Sequence, residues 1–159
     1  MRLASLLFSG LVVAASGWAA DPFVGNWKLN PDKSKGDEAT LKGRIATIIR
    51  IEPAGANSYR ETAEWRNPDG KTEESIQTTG WDGKDHVNDR TGDAPGTYTS
   101  SVQRIDNSHT LQIFKKNGKE YQRSETAISA DGKLQTTHQW GTGRATGKPF
   151  DVILVYEEQ

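Results

Sequence analysis

The residues best placed to do chemistry sit on one hairpin. Asn117-Gly118 and Asp131-Gly132 are dipeptides that accept the positive φ angles of tight turns, and they bracket the runs 120–129 and 134–140. If each is a two-residue turn, Lys116 faces Lys119 and Ala130 faces Lys133. Counting back from the second turn pairs Ala127 with Thr136, Glu125 with His138 and Arg123 with Trp140. Directly opposed residues share a face of the sheet. One face then carries Tyr121, Arg123, Glu125, His138 and Trp140, and the other carries Gln122, Ser124, Thr126, Gln135 and Thr137. Large aromatic residues are buried more often than Gln, Ser and Thr, so the aromatic face is expected to turn inward. It would set a guanidinium over an indole, a cation–π contact. It would also set a carboxylate against an imidazole, which favours the protonated histidine.

Three further residues are expected to join that surface. Arg104 shares strand parity with Tyr98 and Val102 in the run TYTSSVQRI, and Tyr59 and Trp65 share one face of the run 58–66. The candidate ligand-binding set is therefore Tyr59, Trp65, Arg104, Tyr121, Arg123, Glu125, His138 and Trp140. Such a mixture suits a small hydrophobic or amphipathic molecule. A carboxylate on that molecule would find a planar fork in arginine. The other reading of the same pairs is that they are ordinary cross-strand contacts on the solvent side. Each would then contribute a few tenths of a kcal/mol, up to about one.

Other chemistries find little support. The chain has no cysteine, so cysteine nucleophiles, disulfides and lipid attachment at a leader cysteine are excluded. No nucleophile-elbow pattern surrounds any serine. The three histidines, His86, His109 and His138, lack the spacing of a metal motif, and no cofactor is called for. Asp82-Gly83-Lys84-Asp85-His86 lacks the regular acidic ligands of a calcium loop and reads as a turn. The Gly-rich stretch 141–147 has no following Lys-Ser/Thr of a phosphate loop. Glu125 with His138 leaves open an acid–base role in an isomerase or lyase. An envelope interaction module that docks a partner by strand addition is also open.

The elements that must position these residues are strands. Asn67-Pro68-Asp69-Gly70, Asp82-Gly83, Asp106-Asn107, Asn117-Gly118 and Asp131-Gly132 recur at short intervals. Between them lie runs rich in Thr, Ile, Val, Tyr and Gln at 44–51, 58–66, 72–79, 97–105, 110–115, 120–129, 134–140 and 150–157. With 23–29 and a short piece at 84–87, the spacing predicts about ten strands. No segment shows a helical stripe, and the connection 31–43 reads as a loop or lid. Short connections predict an antiparallel meander. Closure into a single up-and-down β-barrel removes its exposed edges. The last run, FDVILVYE, is expected to be covered on both sides and to pair with the first strand. A β-sandwich is the architectural alternative.

Residues 1–20, MRLASLLFSGLVVAASGWAA, form a basic, then apolar, then small-residue pattern that fits a signal peptide with cleavage after Ala19 or Ala20. The apolar run is too short to span a bilayer comfortably. Residues 21–159 are then expected to form one exported domain, periplasmic or secreted. The net charge is −1, with no one-sign block to attract nucleic acid or an anionic membrane. Only 33% of residues are apolar, low for a globular chain, which suits a sheet with one wet face.

The opening of this domain, Phe23-x-Gly25-x-Trp27-x-Leu29, resembles the first strand of lipocalins and fatty-acid-binding proteins, the calycin group. The resemblance implies that Trp27 marks the closed end of a barrel and packs against its last strands. The chain is also similar to small exported bacterial proteins described as lipocalin-like. The matching pieces are FVGNWKLNPDKSK at 23–35, the Asp-Gly-Lys turns at 82–84 and 131–133, and GKPFDVILVYE at 147–157. It departs from fatty-acid-binding proteins in lacking a two-helix insert after the first strand, and from many lipocalins in lacking cysteines and a long C-terminal helix. Ligand residues are therefore not carried over from either group.

Overall fold

The computed structural model describes residues 21–37, 41, 46–66, 70–88, 97–143 and 147–159. The leader expected over 1–20 lies outside them, as do parts of the turn at 67–70, the connection 31–43 and the loop 141–147.

Ten strands follow the turn punctuation closely: β1 (Gly25–Leu29), β2 (Ile48–Pro53), β3 (Ser58–Arg66), β4 (Thr72–Gly80), β5 (His86–Val87), β6 (Tyr98–Arg104), β7 (His109–Lys116), β8 (Lys119–Ile128), β9 (Leu134–Thr142) and β10 (Pro149–Glu158). They form one antiparallel sheet in the order β4-β3-β2-β1-β10-β9-β8-β7-β6-β5. The sheet curls into a nearly closed barrel. The two chain ends meet as expected, with Trp27 opposite Glu158 and Leu29 opposite Tyr156. The ladder stops elsewhere. β4 and β5 end the strand order with no ladder between them among the described residues. There the Ser100 hydroxyl of β6 reaches the Gln77 amide oxygen of β4 at 3.4 Å.

The turn residues set the register. Asn117 (φ 50°) and Gly118 (φ 76°) form a two-residue turn that places Lys116 opposite Lys119. In the next hairpin Glu125 opposes His138 and Arg123 opposes Trp140, the pairing counted from the sequence. The turn itself is one residue off. Gly132 donates to the Ser129 carbonyl at 2.9 Å, and Asp131 accepts from the Lys133 amide and the Ser129 hydroxyl. The β7–β8 ladder is interrupted where β8 bulges at Tyr121. Gly141 is needed there, because a Cβ on it would collide with the Tyr121 carbonyl oxygen.

Inward residues of β1, β2 and β10 build the core. Trp27, Ile51, Val152, Leu154 and Tyr156 pack in one cluster with Phe23, and the Trp27 indole donates to the Phe23 carbonyl at 3.0 Å. β10 meets the expected cover on both sides only in part: Val152, Leu154 and Tyr156 are buried inside and Val155 on the outside is buried too, whereas the outer Ile153 is 38% exposed. The connection after β1 runs along this outer edge. Lys35 pairs with Ile153, Gly36 lies where a Cβ would collide with Val152, and the Leu41 amide donates to the Asp37 carbonyl while its side chain packs on the core.

Candidate functional site

Period-two alternation and the register divide the barrel interior into two walls. The wall formed by β1, β2 and β10 is apolar: Trp27, Leu29, Ile49, Ile51, Val152 and Leu154 point inward. The rest of the interior, on β4 and on β6 to β9, is built largely of amides and hydroxyls. Two adjacent rows cross β7, β8 and β9: Gln112–Ser124–Gln139, and Thr110–Thr126–Thr137. The Thr126 and Thr137 hydroxyls meet at 3.1 Å. Ser75, Gln77 and Thr79 continue this character on β4.

Several polar atoms of that wall lack protein partners. Gln112 Nε2, Ser124 Oγ and Gln135 Oε1 are buried without a hydrogen bond, a state that costs about 1–3 kcal/mol per group unless water or a ligand meets it. Gln112, Gln122 and Thr126 are inward and mid-strand yet only half-buried. The interior opposite them is therefore open to molecules the size of water. A barrel stabilised purely by packing would fill this space with aliphatic groups.

At one end the walls meet over an aromatic and charged floor. Trp81, just past β4, stacks on Tyr59 with ring centroids 4.0 Å apart. The Arg104 guanidinium lies 4.3 Å from the Trp81 centroid and donates to Asp21 Oδ2 at 2.6 Å. Asp21 is itself held by the Phe23 amide. A cleft of about 280 Å³ opens beside this group, lined by Asp21, Val24, Pro53, Tyr59, Trp81 and Arg104 among others. Burial first, and then the Glu61 carboxylate, hold the Tyr59 phenol well above its ordinary pKa, and Arg104 opposes them. Burial and Glu61 raise Tyr156 likewise. At the other end Tyr121 packs within 6.3 Å of the Tyr98 and Phe114 rings, and the Trp65 indole donates to Glu73 Oε2 at 3.0 Å.

Of the eight residues picked from the sequence, Tyr59, Trp65, Arg104 and Tyr121 lie toward the interior, at its two ends. Arg123, Glu125, His138 and Trp140 do not. The expectation that their face turns inward is corrected by the burial of the opposite one: Ser124, Ile128, Gln135 and Thr137 are buried, while the Arg123 and His138 side chains are each 42% exposed. On the outer surface Arg123 pairs with Glu120 at 2.6 Å. His138 contacts Asp151 at 2.9 Å and lies against the Trp140 ring. Charges cost far more to bury than amides and hydroxyls, so the Arg123–Glu120 ion pair and the Glu125 carboxylate on one face outweigh one indole.

The fork expected to receive a ligand carboxylate is partly taken up within the protein. Arg104 donates one Nη to Asp21, with its Nε left without a protein partner, and Arg123 is held by Glu120. The sequence reading overlooked Trp81, Asp21, Gln112, Ser124 and Gln135. The signal that marks the last three is a Ser/Thr/Gln face with no charge on it, opposite a face carrying both signs. Among the described residues no three His, Asp or Glu side chains gather to hold a metal ion, and no helix is long and apolar enough to cross a membrane.

No family model and no curated protein matches this chain. Solved structures do. The chain is similar to zebrafish ileal bile acid-binding protein complexed with cholic acid, at 13% identity and TM-score 0.55, covering 87% of this chain and 99% of that one. It is also similar to the wild-type fluorescent protein UnaG, at 15% identity and TM-score 0.53, covering 86% and 97%. At these identities the likeness is one of fold: a single antiparallel β-barrel like those of these two proteins.

Proposed function

We propose that this chain is an exported carrier or sensor that binds a small hydrophobic or amphipathic molecule inside its barrel. The observation that carries the reading is the unfilled polar wall. Gln112, Gln122 and Thr126 point inward from mid-strand yet are only half-buried, and the apolar residues of β10 continue the same inner surface beside them. Ligand sites have this form, a mostly apolar surface with a few placed polar groups. The fold supports the same reading by analogy, since the similar zebrafish protein was solved with cholic acid. Export rests on the leader pattern of residues 1–20.

Protein purified from its native compartment under non-denaturing conditions and analysed by mass spectrometry is expected to release a stoichiometric small molecule. In the emptied protein, 1-anilinonaphthalene-8-sulfonate is expected to bind once per chain and to be displaced by that molecule. Absence of both signals overturns the binding reading. N-terminal sequencing of the same sample is expected to begin at Ala20 or Asp21, and an intact Met1 overturns export with cleavage.

A further inference from the structure

We propose that the molecule held in the barrel is a basic amphiphile, one carrying a protonated amine, and that the Glu61 carboxylate on the inner face of β3 receives it. The proposal rests on the binding reading above and names the chemical class of its ligand.

The argument begins with where Glu61 lies. Tyr59, Glu61, Ala63 and Trp65 are the inward positions of β3; Tyr59, Ala63 and Trp65 are buried, and Glu61 alone is half-buried. Space therefore lies in front of its carboxylate. Beside it on the sheet are Ile51 of β2 and Gln77 of β4. In the strand order β8 stands five places from β3, which puts it across the hollow. Its Gln122 and Thr126 are likewise inward and half-buried.

The second part concerns charge. A carboxylate among Ile51, Tyr59 and Ala63 is costly to keep unless donors or a cation meet it. Gln77 Nε2 donates to Glu61 Oε1 at 2.9 Å, and the Ser100 hydroxyl donates to the Gln77 amide oxygen at 3.4 Å. Both of these side chains are neutral, so they aim the acid without cancelling its charge. That charge is felt around it: burial first, and then Glu61, raise the Tyr59 and Tyr156 phenols. Cations on the inner face lie toward its ends. Arg104 gives an Nη to Asp21 at the floor and lies over the Phe23 and Trp81 rings, with its unpartnered Nε buried. Lys116, at the end of β7, lies over the Tyr98 ring. A ligand acid would be repelled by Glu61, whereas an amine would gain a charge-assisted hydrogen bond there.

The test uses probes that share one tail and differ in charge: dodecylamine, dodecanol and dodecanoate. Titration calorimetry of the purified chain near neutral pH is expected to show the amine binding about tenfold tighter than the alcohol, the worth of one charge-assisted hydrogen bond, with dodecanoate weakest. In Glu61→Gln, whose amide oxygen can still accept from Gln77, the preference for the amine over the alcohol is expected to disappear. The same variant should bind 1-anilinonaphthalene-8-sulfonate, an anion, at least as tightly as wild type. Glu61→Asp is expected to keep the amine first. Glu64→Gln, on the outer face of the same strand where Glu64 pairs with Arg50, is expected to keep it too. If dodecanol or dodecanoate binds as tightly as the amine, the proposal fails while the binding reading stands. If the sulfonate dye and all of these probes fail to bind, both fail. If Glu61→Gln retains the amine preference, or Glu64→Gln abolishes it, the assignment to Glu61 fails.

Discussion

The apolar wall of β1, β2 and β10 and the polar wall of β6 to β9 are hydrogen-bonded into the same sheet and face the same hollow, yet they serve different ends. The first is packed: Trp27, Val152 and Leu154 are each 1% exposed and touch one another through the Phe23 cluster. The second is equally buried at Ser124, Gln135 and Thr137 but leaves polar atoms unmet. Apolar packing is concentrated on one side of the barrel, and the other side holds polar atoms that the folded protein does not pair with its own. A wall that weakens the empty protein is retained, on the reading above, because something fills it.

This asymmetry can be tested by substitution on each side. Trp27→Ala on the packed wall is expected to destabilise by about 3–5 kcal/mol, seen as a large fall in the urea midpoint. A loss under about 1 kcal/mol would mean that the wall is not the core. Gly141→Ala, at the mouth of the polar wall, is expected to lose about 2–3 kcal/mol, because its Cβ would collide with the Tyr121 carbonyl. Backbone there is intolerant even where side chains are not.

A pH titration reads the dryness of the packed side. Burial raises the Tyr59 and Tyr156 phenols above their unfolded value, so their contribution to stability is complete below about pH 10 and is lost as pH rises through the folded values. The urea midpoint is expected to fall above about pH 10, and Tyr59→Phe should flatten that fall. Absorbance at 295 nm showing every tyrosine ionised in the folded protein near pH 10 would contradict this. On the polar wall, Ser124→Ala and Thr137→Val are expected to change stability by less than about 1 kcal/mol, in either direction. The smallest effect belongs outside the barrel. Arg123→Ala is expected to fall within about 0.5 kcal/mol of wild type in urea unfolding and to leave ligand titrations unchanged.

Much of this architecture is legible in the chain without coordinates. Asn117-Gly118 and Asp131-Gly132 set the turns, and a period of exactly two then carries the register along β8 and β9, so Glu125–His138 and Arg123–Trp140 follow by counting. Phe23, Trp27 and the apolar run of β10 announce the ends that close the sheet. Strand number follows from the same punctuation. The open seam between β4 and β5 has no local signature, because it depends on how far the sheet has curled by the time its last strands arrive.

Which face looks inward was not legible. The rule that aromatics go inside presumes a dry, filled core, and on the β8–β9 hairpin it gives the wrong answer: Arg123, His138 and Trp140 face water while Ser124, Gln135 and Thr137 face the hollow. Pairing between neighbours is a local property of turns and alternation, and the amino-acid order alone determines it here. The sign of each face depends on what lies across the barrel from it. That is set by strands distant in sequence and by the balance between burying charges and burying amides, so only the tertiary structure decided it.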